Sequence, residues 1–235
     1  MFNRNLDDSQ RAAVTFALSQ NEFCTIHGPP GTGKSTALVE IIRQEVARKK
    51  KVLFSAPSNS AVDNITERLA QADYRVVRLG HPARVTEGCR EHTLEGKFVL
   101  QYFVVRGLEA QMKLYPKIHT SDSEVGQKFK HEKENLDRMI AKCLEEADVV
   151  LGTFINCGKS KADNLLTEIT FSSSEGPLRC LKRDHFQLTV IDECSQAKEA
   201  SCWLVIPRSP KLILAGDYHQ LSPTVHNKVI LSSPD

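Results

Sequence analysis

The segment 28–35 contains the residues whose types and spacing point most clearly to chemistry. It matches the phosphate-binding pattern G-x-x-x-x-G-K-[ST] with the residues Gly28-Pro29-Pro30-Gly31-Thr32-Gly33-Lys34-Ser35. The glycines let backbone N–H groups turn toward a polyphosphate, Lys34 reaches the β and γ phosphates, and the Ser35 hydroxyl binds Mg²⁺. The pattern therefore predicts a nucleotide and Mg²⁺ at this loop rather than an ordinary glycine turn, with Thr36 in the same binding set.

Two adjacent acids, Asp192 and Glu193, follow an apolar run far downstream. An open α/β sheet builds its sites at the carboxyl ends of its strands, which is where these acids would lie. Asp192 would join Ser35 in holding Mg²⁺, and Glu193 would orient or deprotonate the water that attacks the γ phosphate. In isolation such a pair is usually a solvated turn, so the catalytic interpretation depends on the upstream loop.

Two further polar clusters follow apolar runs. Residues 213–221 read as a strand that ends in a polar group, and residues 56–64 follow a strand and open a helix. The first is equally compatible with an ordinary polar loop. In the second, Pro57, Ser58 and Asn59 suit a turn and a helix cap, a role that can coexist with phosphate binding.

The elements that would position these groups alternate as in β-α units around a mostly parallel sheet. Candidate strands are 23–27, 52–56, 75–79, 149–152, 188–191 and 211–215. Asp8 or Ser9 is expected to cap a first helix that runs to about residue 19, and further candidate helices span 34–48 and 60–70. The aromatic side chains Phe54 and Trp203 stand in apolar surroundings, which favours core positions for both.

Residues 95–147 do not fit a minimal α/β unit. A helical stripe is formed by Leu136, Met139, Ile140, Cys143, Leu144 and Ala147. An earlier helix-like stretch, 100–112, is separated from it by the polar tract 119–127. We expect an inserted helical hairpin, which divides the chain into a first part (1–94), the hairpin (95–147) and a second part (148–235). Residues 156–186 are expected to form a long loop.

Composition sets the remaining limits. The 235 residues include 31 basic and 29 acidic side chains, so the net charge of +2 neither requires nor excludes a polyanionic partner. Seven scattered cysteines without a C-x-x-C motif favour reduced thiols over disulfides or a zinc ribbon. Since no apolar run approaches the ~20 residues of a spanning helix, we expect no membrane and a cytoplasmic or nuclear location.

In its motifs the chain resembles the Upf1-like group of superfamily 1 helicases. The resemblance uses the loop and the acid pair, together with five other blocks in the same order: Leu6-Asp7-x-Ser9-Gln10, residues 56–64, residues 77–84, Gly152-Thr153, and Gly216-Asp217 with Gln220-Leu221 and Pro223. It implies a P-loop NTPase (RecA-like) domain of the α/β class whose mostly parallel sheet is flanked by helices and carries the helical hairpin. The cofactors it implies are ATP and Mg²⁺.

The resemblance also assigns roles to individual residues. It implies that Gln10 reads adenine with Asn3 beside the base, and that Gln220 senses the γ phosphate. Single-stranded DNA or RNA would lie along Pro57, Ser58, Asn59 and Thr153. Members of the group continue into a second RecA-like domain, which we expect to be absent here. We therefore expect this chain alone to bind ATP-Mg weakly and to hydrolyse it poorly.

Two other classes of function remain open at this stage. A truncated module that binds nucleotide and nucleic acid without catalysis would share every motif above. A small-molecule kinase or a GTPase is disfavoured, because residues 227–230 lack the Asp of a guanine-reading N-K-x-D motif. The sequence does not distinguish DNA from RNA, since groups that contact the nucleic-acid backbone carry little base information. It also leaves the oligomeric state undetermined.

Overall fold

A computed structural model describes residues 1–72, 74–116, 123–158, 177–182, 184–220 and 222–223 of the protein. The described residues form six strands: β1 (Phe23–His27), β2 (Val52–Ala56), β3 (Val76–Leu79), β4 (Val149–Thr153), β5 (Leu188–Ile191) and β6 (Lys211–Gly216). They also form α-helices: α1 (Asp8–Ser19), α2 (Lys34–Ala47), α3 (Asn59–Ala70), α4 (Leu94–Lys97), α5 (Val99–Leu114), α6 (Glu124–Glu146), α7 (Phe154–Cys157) and α8 (Glu199–Cys202). Each strand agrees with its predicted range to within one residue.

All strand pairs are parallel, in the order β1-β6-β5-β2-β4-β3. Every residue of β2, β3 and β5 is buried, because helices cover both faces of the sheet. The strand order places β6 between β1 and β5, two strands that are far apart in sequence. The carboxyl ends of all six strands therefore lie along one edge of the sheet.

Two hydrophobic clusters fill the space between the sheet and its helices. Phe54 of β2 points into the cluster that α1, α2 and α3 complete, for example through Leu38 and Ile65. Its neighbour Leu53 points to the opposite cluster, where α5 and α6 contribute. This alternation follows from the pleat of the strand, in which successive side chains point to opposite faces. The result is a three-layer α/β fold, as predicted.

The predicted helical hairpin is confirmed as the pair α5 and α6, which pack against each other. Leu136, Ile140 and Leu144 from the predicted stripe are fully buried. They join Leu53 and Val150 of the sheet in one hydrophobic cluster. The pair thus forms part of the layer on this face of the sheet. The residues between the two helices, 117–122, lie outside the described residues, and the domain boundaries proposed above remain a prediction.

Two local predictions are wrong. The N-cap of α1 is Asp7, because its carboxylate accepts the Gln10 amide at 2.8 Å while the Gln10 side chain accepts the Asp7 N–H at 3.2 Å. Trp203 is 57% exposed, since it follows the single turn of α8 at the surface and donates to the Glu199 carboxylate. Phe54, in contrast, is fully buried as expected.

The long loop predicted at 156–186 is described only at its two ends, so it stays a prediction. Its first residues belong to α7, and a 3₁₀ helix spans Pro177–Cys180. The segment 159–176 lies outside the described residues. In the part of the chain that the structure describes, no helix is both long and apolar enough to cross a membrane.

We predict that Ile140→Ala destabilises the protein by about 2–5 kcal/mol, because the truncation leaves a cavity between α6 and the sheet. Urea unfolding followed by circular dichroism measures the change. Glu134→Ala, at an exposed position of the same helix, should change the free energy of unfolding by less than about 0.5 kcal/mol. Equal effects of the two substitutions would show that the helix pair does not depend on this contact.

Candidate functional site

A cleft of about 390 Å³ lies at the carboxyl edge of the sheet, a volume typical of small-ligand sites. One wall consists of the predicted loop and the start of α2, namely Pro29, Pro30, Gly31, Gly33, Lys34, Ser35 and Thr36. The opposite walls come from three other segments, the end of α3 and the residues after β5 and β6, and comprise Arg68, Asp192, Glu193, Ser195, Asp217 and Gln220. The fold therefore brings the loop and the distant acid pair into one site.

The loop needs glycine at two positions where its backbone is left-handed, Gly31 with φ 81° and Gly33 with φ 74°. A Cβ at Gly33 would also collide with the side-chain amide of Gln10. Gly28 anchors the base of the loop, since its N–H donates to the Gly216 carbonyl at 3.2 Å. The Lys34 Nζ donates to the Gly28 carbonyl at 2.9 Å, so the lysine charge lies inside the loop.

The residues predicted to surround adenine are placed differently from each other. Gln10 lies against the loop and donates from Nε2 to the Thr32 carbonyl at 3.0 Å. Gln10 is not among the residues that line the cleft, so its contact with adenine stays a prediction. Asn3 lies beside α2, where its N–H donates to the Glu40 carboxylate and its side chain accepts the Asn5 N–H. It does not line the cleft, so its adenine role stays a prediction.

The two acids leave β5 in different environments. Asp192 is 3% exposed and accepts the Glu193 N–H at 2.9 Å. Burial raises the pKa of the Asp192 carboxyl above its ordinary value, an effect that the Glu193 N–H and the Lys34 charge partly oppose. Glu193 has a left-handed backbone with φ 52°, which is uncommon for a residue other than glycine. The Asp192 carboxylate thus accepts a backbone N–H, whereas the Glu193 carboxylate accepts the Ser58 hydroxyl at 3.3 Å.

Asp217, which directly follows β6, organises the side of the cleft between the loop and the acids. Its carboxylate accepts the His219 N–H at 3.0 Å, the His27 Nε2 at 3.1 Å and the Gln220 Nε2 at 3.2 Å. These hydrogen bonds, the His219 amide above all, hold the pKa of Asp217 below its ordinary value. The Gln220 Oε1 accepts a hydrogen bond from the Gln196 Nε2 at 3.0 Å. Both the oxygen and the nitrogen of the Gln220 amide, the predicted γ-phosphate sensor, are therefore held by neighbouring side chains.

The predicted nucleic-acid residues lie at the ends of the next two strands, β2 and β4. Thr153 lies opposite Ala56 in the register, beside the segment Pro57-Ser58-Asn59. The Asn59 side-chain oxygen accepts from Arg78, whose guanidinium is fully buried and pairs with Asp63 at 2.8 Å. A buried ion pair therefore supports the start of α3.

Ser58 connects the two halves of the edge. Its hydroxyl caps α3 by accepting the Ala61 N–H at 3.2 Å. The same hydroxyl donates to the Glu193 carboxylate at 3.3 Å. A residue assigned to the nucleic-acid half thus contacts the residue assigned to water activation.

Three residues of the cleft were missing from the predicted site: Arg68, Ser195 and Asp217. Asp217 could have been predicted as a site residue, because it belongs to the motif Gly216-Asp217, which follows an apolar strand. No sequence motif singles out Ser195. Its hydroxyl nevertheless accepts the Asp217 N–H at 3.3 Å. Arg68 stands in the last turn of α3. A basic residue is common there, because it interacts favourably with the negative end of the helix dipole.

Comparison with known proteins agrees with this geometry. A family model described as an AAA domain matches residues 5–103 and 105–228. The chain is 43% identical over 231 residues to DNA-binding protein SMUBP-2 of Mesocricetus auratus, and 30% identical over 226 residues to ATP-dependent helicase NAM7 of Saccharomyces cerevisiae. These matches cover 95% and 94% of this chain but 22% and 20% of the relatives. The chain spans about a fifth of the length of both.

A solved structure is similar in fold. It is that of a nuclease-deletion mutant of the Type ISP restriction-modification enzyme LlaGI in complex with a DNA substrate mimic. The TM-score is 0.50 at 16% sequence identity, over 95% of this chain and 19% of that one. At this identity the likeness concerns the fold alone.

We predict that Asp192→Asn raises the stability of the metal-free protein at neutral pH. A carboxyl whose pKa is raised by folding contributes stability below its unfolded pKa of about 3.9, and loses it as pH rises through the folded value. The amide stays uncharged and can still accept the Glu193 N–H. Thermal unfolding in EDTA should therefore show a higher midpoint for the variant at pH 7, and the gap should close toward pH 4.

The opposite sign is expected at Asp217, whose pKa is lowered by folding. Its contribution to stability is present above the unfolded pKa and is lost as pH falls through the folded value. Asp217→Asn should therefore lower the midpoint at pH 7, with a smaller loss at low pH. If both variants shift the midpoint in the same direction, the electrostatic account of this edge is wrong.

Proposed function

Because the chain belongs to the AAA domain family and to the Upf1-like group of superfamily 1 helicases, we propose that its cleft binds ATP with Mg²⁺ and hydrolyses ATP to drive movement along a nucleic-acid strand. One observation carries the proposal. The loop, the acid pair and Gln220 come from three strand ends that are far apart in sequence, yet they line a single cleft. Each supplies a different requirement of phosphoryl transfer.

The residues of the cleft suit Mg²⁺. This ion prefers oxygen ligands and is commonly held by one or two carboxylates together with substrate phosphates. The Ser35 hydroxyl and the Asp192 carboxylate both line the cleft, and Asp192 is buried with a raised pKa. A cation beside Asp192 would offset the cost of burying its charge. When bound, Mg²⁺ supplies charge neutralisation at the β and γ phosphates.

The chain's own groups would perform the remaining steps. Backbone N–H groups of the loop and the start of α2 hold the phosphates, and Lys34 exchanges its bond to Gly28 for one to the β or γ phosphate. Glu193 would accept a proton from the attacking water. The water oxygen bonds to the γ phosphorus while the bond from that phosphorus to the β–γ bridging oxygen breaks and ADP leaves. Gln220, held by Asp217 and Gln196, would contact the γ phosphate.

Ser58 would couple the binding of a nucleic-acid strand to ATP hydrolysis. We place single-stranded DNA or RNA along Pro57, Ser58, Asn59 and Thr153, at the strand ends next to the nucleotide cleft. A strand that contacts Ser58 would compete for the hydroxyl that donates to Glu193. Glu193 would then be free to accept a proton from water, which gives a physical route for nucleic acid to stimulate hydrolysis.

In the whole protein, we propose that a second RecA-like domain completes the site. Among the described residues, Lys34 and Arg68 are the cations that line the cleft. An arginine supplied to the γ phosphate is worth roughly 10³–10⁵ in the rate of phosphoryl transfer. The chain by itself should therefore bind ATP-Mg weakly and turn it over slowly. Among the described residues the cysteines form no disulfide, and we propose a cytoplasmic or nuclear location.

We predict that Glu193→Gln retains ATP-Mg binding but lowers hydrolysis by about 10²–10⁴-fold, because the amide cannot accept the proton. Lys34→Ala should instead abolish detectable binding. Calorimetric titration and phosphate release, both with saturating single-stranded oligonucleotide, separate the two effects. Glu134→Gln, the same change at an exposed position on α6, is the matched control.

Two results would contradict the proposal. A clear preference for GTP over ATP would favour a different class of NTPase. Tight nucleotide binding with no phosphate release, even with oligonucleotide present and when the remaining domains are supplied, would indicate a binding module without catalysis.

A further inference from the structure

Arg68 is a cation in the cleft that the roles above leave unused. It lies in the last turn of α3 and lines the cleft together with the phosphate-binding loop. Its Nη1 donates to the Thr36 hydroxyl at 3.0 Å. Within the ranges that the structure describes, no carboxylate lies within 4.0 Å of its guanidinium. An arginine with this surrounding has most of its hydrogen-bonding capacity free.

The chemistry of a guanidinium suits this position. It carries five N–H donors in a rigid plane and is always charged, and its fork matches the geometry of a phosphate group. At Arg68 one of these donors is engaged, with a neutral hydroxyl. The group is therefore a positive charge held against a loop whose backbone already favours anions.

The anchor of Arg68 indicates which part of a nucleotide it would meet. Thr36 directly follows Ser35 in the first turn of α2, the helix whose N-terminus faces the phosphates. The γ end of the cleft is accounted for by Lys34, Gln220 and the acid pair. Lys34 reaches the β and γ phosphates, so the α phosphate, near the start of α2, remains without a side-chain cation.

We infer that Arg68 is a nucleotide-binding residue whose guanidinium contacts the α or β phosphate, a contact shared by ATP and ADP. The inference rests on the proposed function, because it requires a nucleotide in this cleft. It adds a structural consequence for α3. This helix begins at Ser58, which contacts Glu193, and ends at Arg68, which would contact the nucleotide. A single helix then touches the water-activating residue and the phosphate chain.

The test measures the affinity of the wild-type chain and of Arg68→Ala for ATP, ADP and AMP in the presence of Mg²⁺. Loss of a charge-assisted hydrogen bond should weaken ATP and ADP binding alike, by about 10-fold or more. Arg68→Lys, which keeps the charge but loses the fork, should recover part of the loss. The control Arg138→Ala removes an equal charge from an exposed site on α6 and should bind as the wild type does.

Each alternative has its own outcome. Unchanged ATP and ADP affinities in Arg68→Ala, with wild-type binding intact, would overturn the inference and leave the proposed function standing. A loss confined to ATP would place the contact at the γ phosphate, and a loss confined to oligonucleotide binding would assign Arg68 to the strand; both overturn it. If the wild type binds no nucleotide, both proposals fail. Should Arg68→Ala unfold at a lower temperature, Arg68→Gln provides the same comparison with the stem of the side chain retained.

Discussion

The placement of β6 between β1 and β5 is the constraint on which the rest of this site depends. Parallel pairing aligns the carboxyl ends of the strands, so the loop after β1, Asp217 after β6 and the acid pair after β5 meet at one edge. Asp217 occupies the middle position and hydrogen-bonds toward both sides, to His27 at the end of β1 and to Gln220 beside Gln196. The strand order continues through β2 and β4, so the residues proposed to bind single-stranded nucleic acid lie at the same edge as the proposed nucleotide cleft.

The site retains features that cost stability. Asp192 keeps a carboxyl in a buried position where folding disfavours its charge, and Glu193 occupies a left-handed backbone conformation that glycine would adopt more easily. Neither feature stabilises the fold in the absence of a bound cation. Both follow from the need to hold two acids side by side at the end of a buried strand. The Arg78–Asp63 pair under α3 is a further buried charge pair, and breaking such a pair from one side costs about 3–5 kcal/mol.

Helix α3 provides a mechanical connection that residue roles taken one at a time do not reveal. Its first turn is held by the Ser58 cap and by Asn59 on Arg78, while its last turn reaches Thr36 through Arg68. A packed helix transmits displacement between its ends because its backbone hydrogen bonds keep its length nearly constant. A strand bound at one end and a nucleotide bound at the other would therefore act on the same rigid element, with Glu193 in contact with its first turn.

Local pattern was sufficient for much of this protein. The six strands, the glycine loop and the helical stripe through Leu136 and Ile140 could all be predicted, because each depends on neighbouring residues with a short period or a short motif. The motif residues Lys34, Asp192, Glu193 and Gln220 line one cleft, and their chemical roles stay predictions. An error occurred where the outcome depends on distant partners, as for Trp203, which follows the single turn of α8 at the surface and is 57% exposed. The order of the strands, the contact of Ser58 with Glu193 and the reach of Arg68 to Thr36 were decided only by the tertiary structure. They join residues 32 to 135 positions apart, and no local periodicity encodes which strand ends will be neighbours in a sheet.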